Sequence, residues 1–308
     1  MTTITIEDKK YYAKHGKHLT YYMEDWLEEK IRTKILPKLH KQDEDSLILI
    51  DGNEGTGKST LGLQIGRYID KSLDLSRVCF TAHEFRDAIL KAEKGQVVVY
   101  DEAFTGLSSR SSLSGVNRVL VSLMMQMRQK NLCVIVILPT FFLLDKYASI
   151  FRSIALFHVY KSKGNRGYFK VYGRRLKKLL YLFGSKSYNY APKVGKIKLF
   201  TKKRGRFYGV FALGDKEMED KYREMKMKAL EATEKDPMTS QSVKYRQQRD
   251  IMIYILRKEL KLSYRKLSEY LSGFDFDISY RQIISICAKY GDKASLEDET
   301  DDKAEKED

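Results

Sequence analysis

From Lys146 to Gly214 this chain has no Asp or Glu, although the same segment carries 18 Lys and Arg. A surface built from such a segment cannot neutralise itself, which excludes a balanced, inert face and points to a polyanionic partner. The whole chain shares the bias, with 57 Lys and Arg against 41 Asp and Glu and a net charge of +16. Cysteine is scarce: Cys79, Cys133 and Cys287 are an odd number with no CxxC spacing. That excludes a disulfide framework and a four-cysteine zinc site, and suits a reducing, cytoplasmic setting. Long apolar runs are absent as well. The longest, Leu132 to Leu144, is interrupted by Pro139 and is too short to span a bilayer, so it reads as a buried strand leading into a helix. The opening residues MTTITIEDKKYY lack the apolar stretch of a signal peptide, and none is expected. No domain-scale repeat and no nuclease constellation stands out.

What is present is an alternation of short β-rich runs and helical segments between Ser46 and Tyr160, the mark of βαβ units on a parallel sheet. Strands are expected at Leu47–Ile50, Arg77–Phe80, Val97–Tyr100, Cys133–Leu138 and Ile154–Val159. Thr81-Ala82-His83-Glu84 is a capping box that opens a helix stopping near Gly95. Val116, Val119, Leu120, Leu123, Met124 and Met127 fall on one helical stripe and read as core. Before this core a helix is expected from Tyr22 to Leu36; after it, runs such as Gly167–Tyr172 and Phe207–Leu213 suggest further strands.

Gly52-Asn53-Glu54-Gly55-Thr56-Gly57-Lys58-Ser59 fits GxxxxGK[ST], the P-loop pattern. The glycines let successive N–H groups curl toward phosphate oxygens, and the helix that follows adds its positive N-terminal end. Lys58 then reaches the β- and γ-phosphates of ATP, Ser59 ligates Mg²⁺, and Thr60 continues the same first turn. The setting matters more than the pattern: an apolar strand, Ser46 to Asp51, precedes the loop, and Leu61, Ile65 and Ile69 form a helical stripe after it. Val97-Val98-Val99-Tyr100-Asp101-Glu102 is a second buried strand, ending in two carboxylates. Asp101 suits the Mg²⁺ shell, and Glu102 suits the general base that orients or deprotonates an attacking water.

This Asp-Glu pair resembles that of the P-loop ATPases with an additional strand and a catalytic glutamate. The resemblance implies a RecA-like core with strand order 5-1-4-3-2. Met127-Arg128-Gln129-Lys130-Asn131, Leu144-Asp145-Lys146 and Ile150-Phe151-Arg152-Ser153 are similar to the corresponding runs of FtsK/HerA-type translocases and of zonular-occludens-toxin-like ATPases. It implies a γ-phosphate-sensing group after the fourth strand, where this chain has Thr140 and FtsK/HerA proteins usually have Gln. Arg128, and behind it Arg118 and Arg110, are candidates for an arginine finger acting on a neighbouring subunit, which would require a homo-oligomer such as a hexameric ring.

In the acid-free stretch, Arg174, Arg175, Lys177, Lys178, Lys202, Lys203 and Arg204 are interleaved with aromatic residues, the composition of a nucleic-acid surface, with an anionic membrane surface as the competing partner. Further on, Gln248–Glu259, Ser263–Leu271 and Ser279–Lys289 read as three helices, with Ser263 and Ser279 as N-caps and Ile251, Ile255, Leu262, Leu267, Leu271, Ile283, Ile284 and Cys287 as core. The group resembles a helix-turn-helix with Tyr280, Arg281 and Gln282 opening its recognition helix. The expected architecture is α/β: an N-terminal helical extension (1–44), a RecA-like P-loop core with a mainly parallel sheet (45–160), a basic β-rich segment (161–214), a helix and linker (215–248), a helix-turn-helix-like module (249–291) and an acidic disordered tail (292–308). The expected function is an ATP-dependent DNA motor of the translocase or packaging type. An ATP-gated DNA-binding regulator or loader is the alternative, and a small-molecule kinase would leave the basic segment unexplained.

Overall fold

The computed structural model describes residues 2–101, 121–235, 241–274 and 276–290. Glu102, Arg110, Arg118, Val116, Val119, Leu120 and the acidic tail lie outside the described residues. The chain divides into two compact units, Met1–Lys235 and Asp236–Asp308.

The larger unit is built on a seven-stranded sheet. Its parallel part consists of β3 (Ser46–Gly52), β4 (Val78–Cys79), β5 (Val97–Tyr100), β6 (Cys133–Leu138) and β7 (Ser153–Ser162). These lie in the order β7-β3-β6-β5-β4, which is 5-1-4-3-2 when the five are counted along the chain. β8 (Asn165–Gly173) and β11 (Arg204–Arg206) extend the sheet beyond β7 in antiparallel fashion. The architecture is a mixed α/β fold with a RecA-like P-loop core and a small helical C-terminal part. β3, β5 and β6 are buried along their whole length, as strands covered on both faces must be. Their alternate residues feed two cores. Ile48, Ile50, Val97, Val99, Ile135 and Ile137 pack under α4 (Lys58–Ile69). Leu47, Leu49, Val98, Val134 and Val136 pack under α5 (Ala82–Lys91), α6 (121–129) and α7 (Arg174–Gly184). Leu123, Met124 and Met127 of α6 are buried there. α5 begins with the anticipated capping box, Thr81 and Glu84 each bonding the other's backbone at 3.2 Å, but it stops at Lys91, short of Gly95.

Several expectations are corrected. The N-terminal region is not only helical: β1 (Thr2–Ile6) and β2 (Leu19–Met23) form an antiparallel hairpin around α1 (Lys9–His15). The anticipated helix begins after Tyr22, as α2 (Asp25–Lys30), and continues through a π-helical turn (Ile31–Ile35) into α3 (Leu36–His40). The hairpin's alternation, Leu19, Tyr21 and Met23 inward and Thr20 and Tyr22 outward, was the readable signal. The basic segment is not a separate β-rich piece, because Arg174–Gly184 is a helix. Besides β8 and β11 it forms only the small pair β9 (Lys193–Val194) and β10 (Ile197–Lys198). Phe207 to Leu213 is not a strand. Its apolar residues Phe207, Ala212 and Leu213 enter the core, while the Gln64 side-chain amide of α4 donates to the carbonyls of Tyr208 (2.7 Å) and Val210 (2.9 Å), replacing a partner strand. The unit closes with α8 (Lys216–Lys235).

The smaller unit contains α9 (Gln241–Leu260), α10 (Tyr264–Ser272) and α11 (Tyr280–Lys289). Ser263 and Ser279 cap the last two, the second with a capping box through Gln282. Ile253, Leu267, Leu271, Ile283, Ile286 and Cys287 form its core. Ile251 and Ile255 are exposed instead of buried, because α9 presents the Ile253 face. No helix among the described residues is long and apolar enough to cross a membrane.

Candidate nucleotide site and nucleic-acid interface

β3 delivers the chain into the glycine-rich loop, and α4 leaves it. Gly52 has φ +139°, and a Cβ there would sit 2.0 Å from the Val159 carbonyl oxygen of β7. Only glycine allows β3 and β7 to stay paired at Gly52–Val159 while the backbone turns. Gly57, φ +100°, caps α4 and faces the Phe207 ring. The first bond of α4 runs from Leu61 N to Gly57 O (3.1 Å), so the N–H groups of Lys58, Ser59 and Thr60 belong to the open first turn, where the helix dipole favours an anion. Asn53, Glu54 and Gly55 are exposed at the tip, while Thr56 is buried and donates to Asn53 O at 2.8 Å. The Lys58 ammonium folds back over the loop, donating to Gly52 O (2.7 Å) and Asn53 O (3.0 Å). A concave loop closed around a lysine can exchange those carbonyls for phosphate oxygens.

Asp101 follows β5, separated from β3 by the single strand β6. It is buried, and its Oδ1 has no hydrogen-bond partner among the described residues. The donor set suits Mg²⁺: a serine hydroxyl at a helix N-terminus and a buried carboxylate with an orphaned oxygen, both hard ligands. Among the described residues no cluster of three or more His, Cys, Asp or Glu side chains is placed to hold a metal. The other oxygen of Asp101 is engaged from α8. The Tyr222 hydroxyl donates to Oδ2, and Lys226 Nζ stands 3.6 Å from it. Sequence reasoning missed both residues, since they lie more than a hundred positions from Asp101 on a helix that reads as a charged connector.

A second missed group surrounds Asp51, the buried residue before Gly52. Its carboxylate accepts from Phe141 N (2.9 Å) and from the Tyr190 hydroxyl, and meets His158 Nδ1 at 2.9 Å. Thr140 Oγ1 lies 2.9 Å from the same Tyr190 hydroxyl. Burial and then the Asp51 charge hold the Tyr190 phenol well above its usual range, so it stays protonated and donates. Thr140 follows β6, two residues past its end at Leu138, and is tied to Tyr190. Arg128 is not brought to the loop. It lines a small cleft with Asp45, Arg152 and Arg174 near the strand starts Ser46 and Ser153, so as a finger it could serve only a neighbouring copy.

The basic residues divide. Arg174, Arg175 and Lys178 are exposed on α7, and Lys202, Lys203 and Arg204 are exposed around the start of β11. Lys177 is corrected: it is fully buried, its ammonium donates to the Ser153 carbonyl and hydroxyl oxygens, and burial with the neighbouring Arg174 charge pushes its pKa down to about 7. It faces the core because it falls on the same side of α7 as Leu180. An arrangement not anticipated lies on the sheet itself. The cross-strand register aligns His158, Lys170 and Arg204 in one row and Tyr160, Tyr168 and Arg206 in the next, and paired residues share a face. Lys170 lies 4.8 Å from the Tyr160 ring centre and Arg206 4.8 Å from that of Tyr168. In the smaller unit, Arg265 and Arg281 flank the Tyr280 ring, while the Gln282 side chain is held as a cap by Ser279.

No protein-family model matches this sequence, and no curated protein matches it either. Among solved structures, the N-terminal domain of zonular occludens toxin from Neisseria meningitidis is similar at 16% identity, over 42% of this chain and 84% of that one, with a TM-score of 0.30. The replication initiator DnaA bound to AMPPCP and single-stranded DNA is similar at 14% identity over 92% of both chains, with a TM-score of 0.31. At these levels neither likeness bears on function.

Proposed function

We propose that this chain is a Mg²⁺-dependent ATPase acting on DNA, with the translocase or packaging motor as its working mode. One observation carries the reading: a P-loop in its strand–loop–helix setting, with the buried Asp101 at the end of the strand one removed and on it an oxygen that no described residue partners. Lys58, released from Gly52 and Asn53, reaches the β- and γ-phosphates while the loop amides hold the chain of phosphates in place. Ser59 and Asp101 would hold Mg²⁺, whose chemistry there is neutralisation of the charge that develops on the transferring group. Glu102 is assigned the proton of the attacking water, and Thr140 a contact to the γ-phosphate or that water. Arg128 would act across a subunit boundary in a homo-oligomer.

The two cross-strand rows support a nucleic-acid partner, since they alternate cations that neutralise phosphates with rings on which bases stack. Arg174, Arg175, Lys178, Lys202 and Lys203 add charge outside those rows, and Tyr280, Arg281 and the smaller unit would load or orient the complex. A second reading, the ATP-gated DNA-binding regulator, is favoured by the engagement of Asp101 by α8. Steady-state ATP hydrolysis with Mg²⁺, with and without single- or double-stranded DNA, separates them. The motor gives turnover stimulated manyfold by one DNA form and lost in Lys58→Ala and Glu102→Gln. The regulator gives slow turnover indifferent to DNA, with DNA affinity set by ATP. Absence of nucleotide binding would remove both.

A further inference from the structure

The hairpin joining β7 to β8 reaches over the tip of the glycine-rich loop. Lys163 and Gly164 turn it with positive φ at both positions, +50° and +79°, the geometry of a tight two-residue hairpin. Just below the turn the register slips. Between the pairs Tyr160–Tyr168 and Ser162–Asn165, the single residue Lys161 opposes two, Arg166 and Gly167. Such a bulge re-aims side chains out of the regular alternation. The outcome is measurable at Gly55, where an added Cβ would find Lys161 Nζ at 3.9 Å and an Arg166 guanidinium nitrogen at 4.0 Å.

This placement is anchored. β7 is held to the loop at Gly52–Val159, and Phe207, whose N–H donates to Gly167 O at 2.8 Å, sets its ring against Gly57. Lys161 and Arg166 are exposed, and neither side chain forms a hydrogen bond or ion pair with a described residue. The loop's own acid, Glu54, is exposed and pairs with neither. Two cations held side by side repel each other unless an anion lies between or beside them, and a guanidinium offers a planar fork suited to two phosphate oxygens.

We infer that Lys161 and Arg166 form a cation clamp, supplied by the same chain, on the terminal phosphates of the nucleoside triphosphate in the Gly52–Ser59 loop. The inference rests on the P-loop reading and adds residues that the loop pattern does not contain. It makes the hairpin a reader of phosphate number: Arg166 and Lys161 touch the outer end of a triphosphate and lose much of that contact with a diphosphate. The hairpin's opposite face carries Tyr160 and Tyr168, so the nucleotide's state bears on the same few residues as the proposed nucleic-acid rows.

The test is a titration of the full chain, with Mg²⁺ present, by a non-hydrolysable ATP analogue and separately by ADP. The panel is wild type, Lys161→Ala, Arg166→Ala, Arg166→Lys and Lys58→Ala. The clamp predicts that each alanine variant weakens the triphosphate analogue about tenfold or more, weakens ADP much less, and that Arg166→Lys recovers part of the loss. Thermal midpoints without nucleotide should not fall, because no native partner is removed. Unchanged analogue affinity in both alanine variants, with binding still abolished in Lys58→Ala, overturns the clamp and leaves the P-loop reading standing. Equal losses for analogue and ADP overturn the phosphate-counting role. Failure of the wild type to bind either nucleotide overturns the P-loop reading and the clamp with it.

Discussion

Replacing Lys226 by Met tests how Asp101 is held before any nucleotide arrives. Lys226 Nζ stands 3.6 Å from Asp101 Oδ2, with side-chain exposures of 22% and 1% respectively. At an effective dielectric constant of about 20, unit charges at that separation attract by about 4–5 kcal/mol before desolvation is counted. Removing one partner of a fully buried pair costs roughly 3–5 kcal/mol. Lys226 is partly in water, so a loss of about 1–3 kcal/mol is the expected size here. Methionine keeps the apolar stem and isolates the charge, and the Tyr222 hydroxyl remains on Oδ2. Because a divalent cation near Asp101 would supply the same counter-charge, the deficit should shrink when Mg²⁺ and a non-hydrolysable ATP analogue are bound, and the variant should bind that pair more tightly. Urea unfolding followed by the fluorescence of Trp26, the single tryptophan, reads the first quantity; nucleotide titration reads the second. Equal destabilisation with and without Mg²⁺ and nucleotide, or weaker nucleotide binding, would refute the idea that the ammonium stands in for a cation.

Gly52→Ala should cost more than about 3 kcal/mol, since the new Cβ meets the Val159 carbonyl at 2.0 Å and φ +139° is strained for alanine; a melting temperature within a degree of wild type would contradict the close approach of β3 and β7. Lys177 gives a pH signature. Its folded-state pKa is pushed down to about 7, so between there and the ordinary lysine range the unfolded chain holds a proton that the folded chain has released. Wild-type stability gained this way is complete above that range, falls by about 1.4 kcal/mol per unit as pH drops, and is gone near pH 7. Denaturation of Lys177→Met from pH 6 to 10 should therefore favour the variant most at the acidic end, and a pH-independent difference would disprove the burial of a titrating amine. Tyr168→Ala should lower affinity for single-stranded DNA by about 1–3 kcal/mol if a base stacks there; anisotropy with a labelled oligonucleotide measures it, and an unchanged value removes the sheet face from the interface.

How legible each feature was depends on how far apart its residues are. The P-loop and the strand ending in Asp101 are contiguous in sequence, and both their chemistry and their strand setting are written in consecutive residues. The order β7-β3-β6-β5-β4 followed from the resemblance and the strand spacing. Of the Asp51–His158–Tyr190–Thr140 group only Thr140 was singled out in the sequence; the rest could not be read, because the group joins residues up to 139 positions apart and Asp51, His158 and Tyr190 belong to no shared pattern. α7 was misread because its inward face includes Lys177, which breaks the apolar stripe. Phe207 to Leu213 has strand-like composition, but Gln64 takes the carbonyls a neighbouring strand would have used.

The tertiary partners that sequence could not supply converge on the two ends of the phosphate site. At the loop tip, a bulged hairpin brings Lys161 and Arg166 to Gly55; at the carboxylate, α8 brings Tyr222 and Lys226 to Asp101. Each addition brings a cation, and each sits on an element outside the P-loop: the hairpin that runs into the aromatic rows, and α8. An anion with bound Mg²⁺ acts oppositely on the two, attracting the hairpin cations through its phosphates and competing with Lys226 through its metal. A single ligand can thus tighten one element and loosen the other, with the direction set by charge alone. Screening weakens exposed cations more than buried ones, so rising salt should erode the nucleotide's hold on Lys161 and Arg166 before it affects the contact of Lys226 with Asp101.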